Sequence, residues 1–128
     1  MAEILVVDDV ENIRMAIKFA LESQNHTVAM AENGEEAIEI LKQIPFDLVI
    51  TDILMPHSDG IDLIRYIKDN SEKSIPVIAI SGGGHTASYQ EVLAVAKTYV
   101  STVLEKPFSK DLLLQSVDAL LNQEASVA

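Results

Sequence analysis

Five residues of this 128-residue chain carry groups suited to a hard cation or a phosphate, and all follow short apolar runs. Asp8-Asp9 comes after Ile4 to Val7, Asp52 after Leu48 to Thr51, Ser81 after Val77 to Ile80, and Lys106 shortly after Thr102 to Leu104. Brought together, the three carboxylates would repel: two of them ~4 Å apart cost about 4 kcal/mol at an effective dielectric near 20. Either one acid stays protonated, or a cation sits among them, and an oxygen-only site fits a hard ion such as Mg²⁺ that retains several waters. A metal-bound carboxylate at a strand end can attack phosphorus and form an aspartyl-phosphate. Asp52 is read as that acceptor, with Lys106 pairing one phosphoryl oxygen and the Ser81 hydroxyl bonding another.

Taken singly, each residue has a plainer reading. Asp-Asp after a strand is often a capping or loop pair. Asp52 could be a turn acid before Pro56, Ser81 the start of a flexible Gly82-Gly83-Gly84 loop, and Lys106 a solvated lysine before Pro107. Their shared position at strand ends is what separates the two readings.

The elements that would position them alternate along the chain. The four runs above and Thr27 to Ala31 read as five strands, several of them apolar without alternation, as expected of strands buried on both faces of a parallel sheet. Helical spacing lies between them: Ile13, Ala16, Ile17, Ala20 and Leu21 in the first helix, and Ala37, Ile40, Leu41 and Ile44 in the second. Asn33 with Glu36, and Asp59 with Asp62, suit helix starts. The third helix is placed at about 59–70, the fourth at roughly 88–99, and the fifth from near Ser109, with Leu113, Val117, Leu120 and Leu121 on one stripe.

Alternating strands and helices predict an α/β, doubly wound, five-stranded parallel sheet in a (βα)5 three-layer sandwich. In strand order 2-1-3-4-5, strands one and three are neighbours, so Asp8, Asp9 and Asp52 crowd the switch point where such sheets bind ligands.

The composition narrows the function. One domain is expected over 1–122, with a short polar tail at 123–128 and no output domain. Twenty Asp and Glu against nine Lys and Arg leave a formal charge of −11, which makes nucleic acid a poor direct partner. Without cysteine there is no thiolate nucleophile, disulfide or cysteine zinc site. No signal-peptide pattern and no apolar stretch of about 18 residues occurs, so a cytoplasmic location without a membrane is expected.

Val6-Val7-Asp8-Asp9, Asp52-Ile53-Leu54-Met55-Pro56-His57-Ser58-Asp59-Gly60, Ser81 and Lys106-Pro107-Phe108 resemble the receiver domains of two-component response regulators, over nearly the whole chain. The resemblance implies a flavodoxin-like receiver fold with Asp52 as the phosphorylated aspartate. It implies Asp9, Asp52 and the Leu54 backbone carbonyl as direct Mg²⁺ ligands, with Mn²⁺ as a substitute, and Asp8 as a ligand through water. Ser81 matches the Ser/Thr that turns toward the phosphoryl group, and Lys106 matches the lysine that contacts it. The Lys106-Pro107 bond is cis in the family, which would aim the ammonium into the site.

The resemblance also implies partners. A histidine kinase or histidine phosphotransfer protein would donate the phosphoryl group. An unnamed downstream protein would read the result or take the phosphoryl group onward, and the chain itself would be a monomer or weak dimer. The domain would catalyse its own phosphorylation and slow dephosphorylation, with the fourth helix, fifth strand and fifth helix reporting the change.

One position departs from the pattern. Val103 stands where receivers usually carry a Tyr or Phe that swings inward, so the route to the output face differs, whereas the acceptor chemistry does not depend on it. The glycine run beside Ser81 reads either as a switch loop or as a tolerant surface loop. His57 and His85 read as loop histidines.

Three other classes compete. A haloacid-dehalogenase-type phosphohydrolase places its nucleophile on the first strand in Asp-x-Asp, where this chain has Asp8-Asp9-Val10. A flavodoxin-like electron carrier would need a phosphate cradle where Asp8-Asp9-Val10-Glu11 repels phosphate. A phosphorylation-independent receiver-like binding module has no need of all five groups.

Overall fold

The computed structural model describes residues 2–53, 60–70, 75–82 and 87–126, with 87–89 and 123–126 given as backbone. Its elements run β1 (Glu3–Val7), α1 (Glu11–Glu22), β2 (Thr27–Ala31), α2 (Gly34–Gln43), β3 (Leu48–Asp52), α3 (Gly60–Asn70), β4 (Val77–Ser81), α4 (Ala87–Tyr99), β5 (Thr102–Glu105) and α5 (Lys110–Ser126). All strand pairs are parallel, and the sheet order is β2-β1-β3-β4-β5, as the alternation predicts.

Successive strand side chains point to opposite faces, so the apolar runs divide into two cores. Leu5, Val7, Val49, Val77 and Ala79 meet Ala37 of α2, Leu63, Ile64 and Ile67 of α3, and Leu93 and Ala96 of α4. Ile4, Val6, Ile50, Ile78 and Leu104 meet Ile17, Ala20 and Leu21 of α1 and Leu113 and Val117 of α5. Each large side chain buried in these layers contributes about 1.5–3 kcal/mol of transfer free energy. The predicted stripes are widest of the mark at their edges: Ala16 and Ile44 are exposed, and Ile13, Ile40, Leu41, Leu120 and Leu121 are only partly buried.

The helix starts follow local chemistry. Asn33 Oδ1 accepts from the Glu36 N–H at 2.8 Å and caps α2 as expected. Ser109 Oγ accepts from the Leu112 N–H at 3.0 Å at the start of α5. The predicted cap at Asp59 lies outside the described residues. α5 continues to Ser126, past the expected end near Asn122, because 123–126 contain no glycine or proline to stop it.

Each of β1, β3, β4 and β5 extends beyond the predicted apolar run by one residue. Two of these are site residues: Asp52 pairs with Ile80, and Ser81 with Glu105. Polarity ends an apolar pattern but not a hydrogen-bonded ladder, so these side chains project from the rigid sheet rather than from the loops beyond it. Among the described residues no helix is long and apolar enough to cross a membrane.

Candidate active site

Four of the predicted groups meet at the carboxyl edge of the sheet. One oxygen from each of Asp8, Asp9 and Asp52 falls within 4.8 Å of the others. Lys106 Nζ donates to Asp52 Oδ2 at 3.3 Å and lies 3.7 Å from Asp8 Oδ2, so a single ammonium faces two of the three acids. The Lys106-Pro107 bond is cis.

Asp8 is held on several sides. Its N–H donates to the Ala31 carbonyl at 3.2 Å, and its Oδ1 accepts from the Val10 N–H at 2.8 Å. Its carbonyl accepts from Arg14 Nη1 at 2.8 Å. The remaining oxygen, Oδ2, is buried and has no hydrogen-bond partner among the described residues, with Lys106 facing it at ion-pair distance. Burial pushes the Asp8 carboxyl above the usual carboxylate range, and Asp9 adds to that. The Val10 N–H and the Lys106 charge oppose it.

Asp52 sits in the last ladder position of β3 and is 8% exposed, enough to be reached from the edge yet fixed from below. Thr51 Oγ1 donates to the Asp52 carbonyl at 3.0 Å. The next residue, Ile53, is gripped on both sides: its N–H donates to the Ile80 carbonyl at 3.1 Å, and its carbonyl accepts from the Gly60 N–H at 2.7 Å. A Cβ on Gly60 would overlap the Asp52 carbonyl oxygen, so α3 can start this close to β3 only with glycine there.

Ser81 is 1% exposed and lies at the end of β4, next to β3 in the sheet. Its carbonyl accepts from the Lys106 N–H at 2.8 Å, which ties the β4 and β5 ends together beneath the ammonium. Gly82 is exposed with open space around the Cβ position, so no close packing demands a glycine there. The Leu54 carbonyl, expected as a metal ligand, lies outside the described residues, as do His57, Gly83, Gly84 and His85.

Three supporting residues were not singled out from the sequence. Thr51 and Gly60 fix the backbone of Asp52 and Ile53, and Arg14 binds the Asp8 carbonyl. Arg14 did carry a signal: with Ile17 and Leu21 it shares the buried spacing of α1, where an arginine is out of place. Val103 pairs with Ala79 in the sheet and packs, partly buried, against the core that includes Leu93 and Ala96 of α4. A valine thus fills the position facing α4.

The donor set suits a hard divalent cation. Among the described residues it consists only of oxygens, one of them the buried Asp8 Oδ2 without a hydrogen bond, and the single ammonium of Lys106 cannot neutralise three carboxylates. The same edge presents a nearly buried carboxylate, a lysine and a buried hydroxyl, a combination fitted to accepting a phosphoryl group.

Comparison with known proteins agrees. The family model for the response regulator receiver domain matches residues 4–118. The chemotaxis protein CheY of Bacillus subtilis (strain 168) is 35% identical over 120 residues, covering 93% of this chain and 97% of CheY. The transcriptional regulatory protein ResD of the same organism is 35% identical over 127 residues, 98% of this chain, but this chain spans only 50% of ResD. Among solved structures, a response regulator receiver domain protein from Clostridium thermocellum superposes with a TM-score of 0.87 at 29% identity, covering 100% of both chains. The chain belongs to the response regulator receiver domain family.

Proposed function

We propose that Asp52 accepts a phosphoryl group from a phosphohistidine on a histidine kinase or phosphotransfer protein, and that the phosphorylated domain signals by binding another protein or by passing the group on. The P–N bond of the donor breaks as a P–O bond to an Asp52 carboxylate oxygen forms, and the imidazole leaves with the bonding electron pair. Lys106 pairs with a phosphoryl oxygen, and the Ser81 hydroxyl bonds another. Asp9, Asp52 and the Leu54 carbonyl would hold Mg²⁺, or Mn²⁺ in its place, and Asp8 would hold it through water. The ion, when bound, offsets the charge of the carboxylates and of the incoming phosphoryl oxygens.

The observation that carries this reading is the convergence of three carboxylates within 4.8 Å under one lysine, at the edge where the strands end. Donor access has a physical basis in an open groove of about 570 Å³ that begins at Lys106 and Pro107 and runs between α1 and the start of α5. Its walls include Ile13, Phe19, Phe108 and Leu113, and Phe19 is 61% exposed. An apolar surface of this kind beside the nucleophile suits a protein donor that must dock before transfer.

Intact mass tests the acceptor assignment. Acetyl phosphate with Mg²⁺ should add one acid-labile phosphoryl group, about 80 Da, to the wild type and none to Asp52→Asn. Equal labelling of both, or an unmodified wild type, would overturn it.

A further inference from the structure

Arg14 sits where packing alone asks for an apolar side chain. It lies one turn before Ile17 and two before Leu21 on the buried face of α1, and is itself only 9% exposed. Burying a guanidinium is costly unless charge or hydrogen bonds compensate it. Here Nη1 donates to the Asp8 carbonyl at 2.8 Å in a buried bond, and Nη2 lies 3.9 Å from Glu32 Oε1 at the end of β2. Glu32 is 68% exposed, so that ion pair contributes little. The Asp8 bond is the one that matters.

We infer that Arg14 is a positioning residue of the cation site: its bond to the Asp8 carbonyl fixes the Asp8-Asp9 turn, so that both carboxylates face the place where the ion binds. Three bonds then define the Asp8 backbone and side chain, namely the Ala31 carbonyl, the Val10 N–H and Arg14, and they leave Asp8 Oδ2 as the oxygen free to serve the site. Two of these come from the adjoining strand and turn. Among the described residues, Arg14 is the side chain that links the Asp8 backbone to the body of α1.

The inference rests on the Mg²⁺ reading above, and charge gives it a discriminating sign. A guanidinium near three carboxylates repels an incoming cation, so if Arg14 acted only as a charge, its removal would tighten Mg²⁺ binding. If it acts by positioning, removal weakens binding.

Mg²⁺ titrations of the full chain, followed by amide chemical shifts, separate these outcomes. Arg14→Met should weaken Mg²⁺ binding about tenfold or more, the usual range for a lost supporting partner. Arg14→Lys keeps the charge but not the planar fork, and should fall between the two. Val117→Ala, a cavity in the core beside α1, should lose stability while keeping wild-type affinity. Glu32→Gln should stay close to wild type.

Unchanged or tighter binding by Arg14→Met, or equal weakening in Val117→Ala, would overturn the role of Arg14 and leave the cation site standing. Absence of Mg²⁺ binding by the wild type would overturn both.

Discussion

Replacing the Asp8 carboxylate by its neutral isostere separates what the acidic site costs from what it does. Asp8 is fully buried, its carboxyl is driven up chiefly by burial, and Asp9 and Asp52 lie beside it. Lys106 offsets part of this, but it also serves Asp52 and is a quarter exposed, so it is not left stranded when Asp8 loses its charge. Asp8→Asn keeps an oxygen for the Val10 N–H and relieves the repulsion. It should therefore stabilise the metal-free domain by about 1–2 kcal/mol in urea unfolding with chelator present, while weakening Mg²⁺ binding. A less stable Asp8→Asn would mean that the Lys106 pairing outweighs the repulsion. The acids themselves were legible in the sequence because each terminates an apolar run, and carboxylates in that position have few structural uses in common. Thr51 and Gly60 were less legible because their roles consist of contacts to backbone atoms, which leave no pattern of spacing, whereas Arg14 shows in the sequence only as a charge on the buried spacing of α1.

At the scale of elements, the strand and helix order could be read from the sequence because parallel strands buried on both faces are continuous apolar runs and the crossover helices carry their own period. The strand ends could not be placed to the residue. Asp52 and Ser81 belong to the ladder by backbone pairing, to which hydropathy is blind. The start of α3 shows the same limit more sharply. In the sequence Gly60 is only the last residue of the block that begins at Asp52, yet it lets the helix start against the end of β3, where its N–H bonds the Ile53 carbonyl at 2.7 Å. On helix propensity alone, Gly60→Ala should stabilise α3 by up to about 1 kcal/mol. The overlap of a Cβ with the Asp52 carbonyl oxygen reverses that sign, because both partners are backbone and neither can rotate away. The expected loss is about 2–3 kcal/mol in urea unfolding, accompanied by slower acetyl-phosphate labelling of Asp52. A stabilised Gly60→Ala would show that α3 can shift at no cost.

The whole molecule is also fastened at the edge of the sheet away from the acids. There the Ala2 N–H donates to His26 Nδ1 at 3.2 Å, and the Thr27 N–H donates to the Ala2 carbonyl at 2.9 Å, joining the start of β1 to the turn between α1 and β2. Asn25, in the left-handed region at φ 67, turns the chain so that His26 faces inward. The Nδ1 atom can accept that bond only while unprotonated. Burial lowers the His26 pKa below its ordinary 6.5, the amino terminus lowers it further, and Asp118 on α5 acts in the opposite direction. Between the folded and unfolded pKa values the unfolded chain therefore binds more protons, and stability rises with pH. The contribution is complete above about pH 6.5 and is lost as pH falls from there through the folded value. His26→Gln retains an acceptor for the Ala2 N–H without titrating. Urea midpoints measured from pH 7.5 down to 5.5 should show the wild type losing stability relative to His26→Gln, since titration of the site acids is common to both chains and cancels in the difference. Parallel curves for the two proteins would mean that His26 charges in the folded state as easily as in the unfolded one, and that this edge of the sheet does not sense pH.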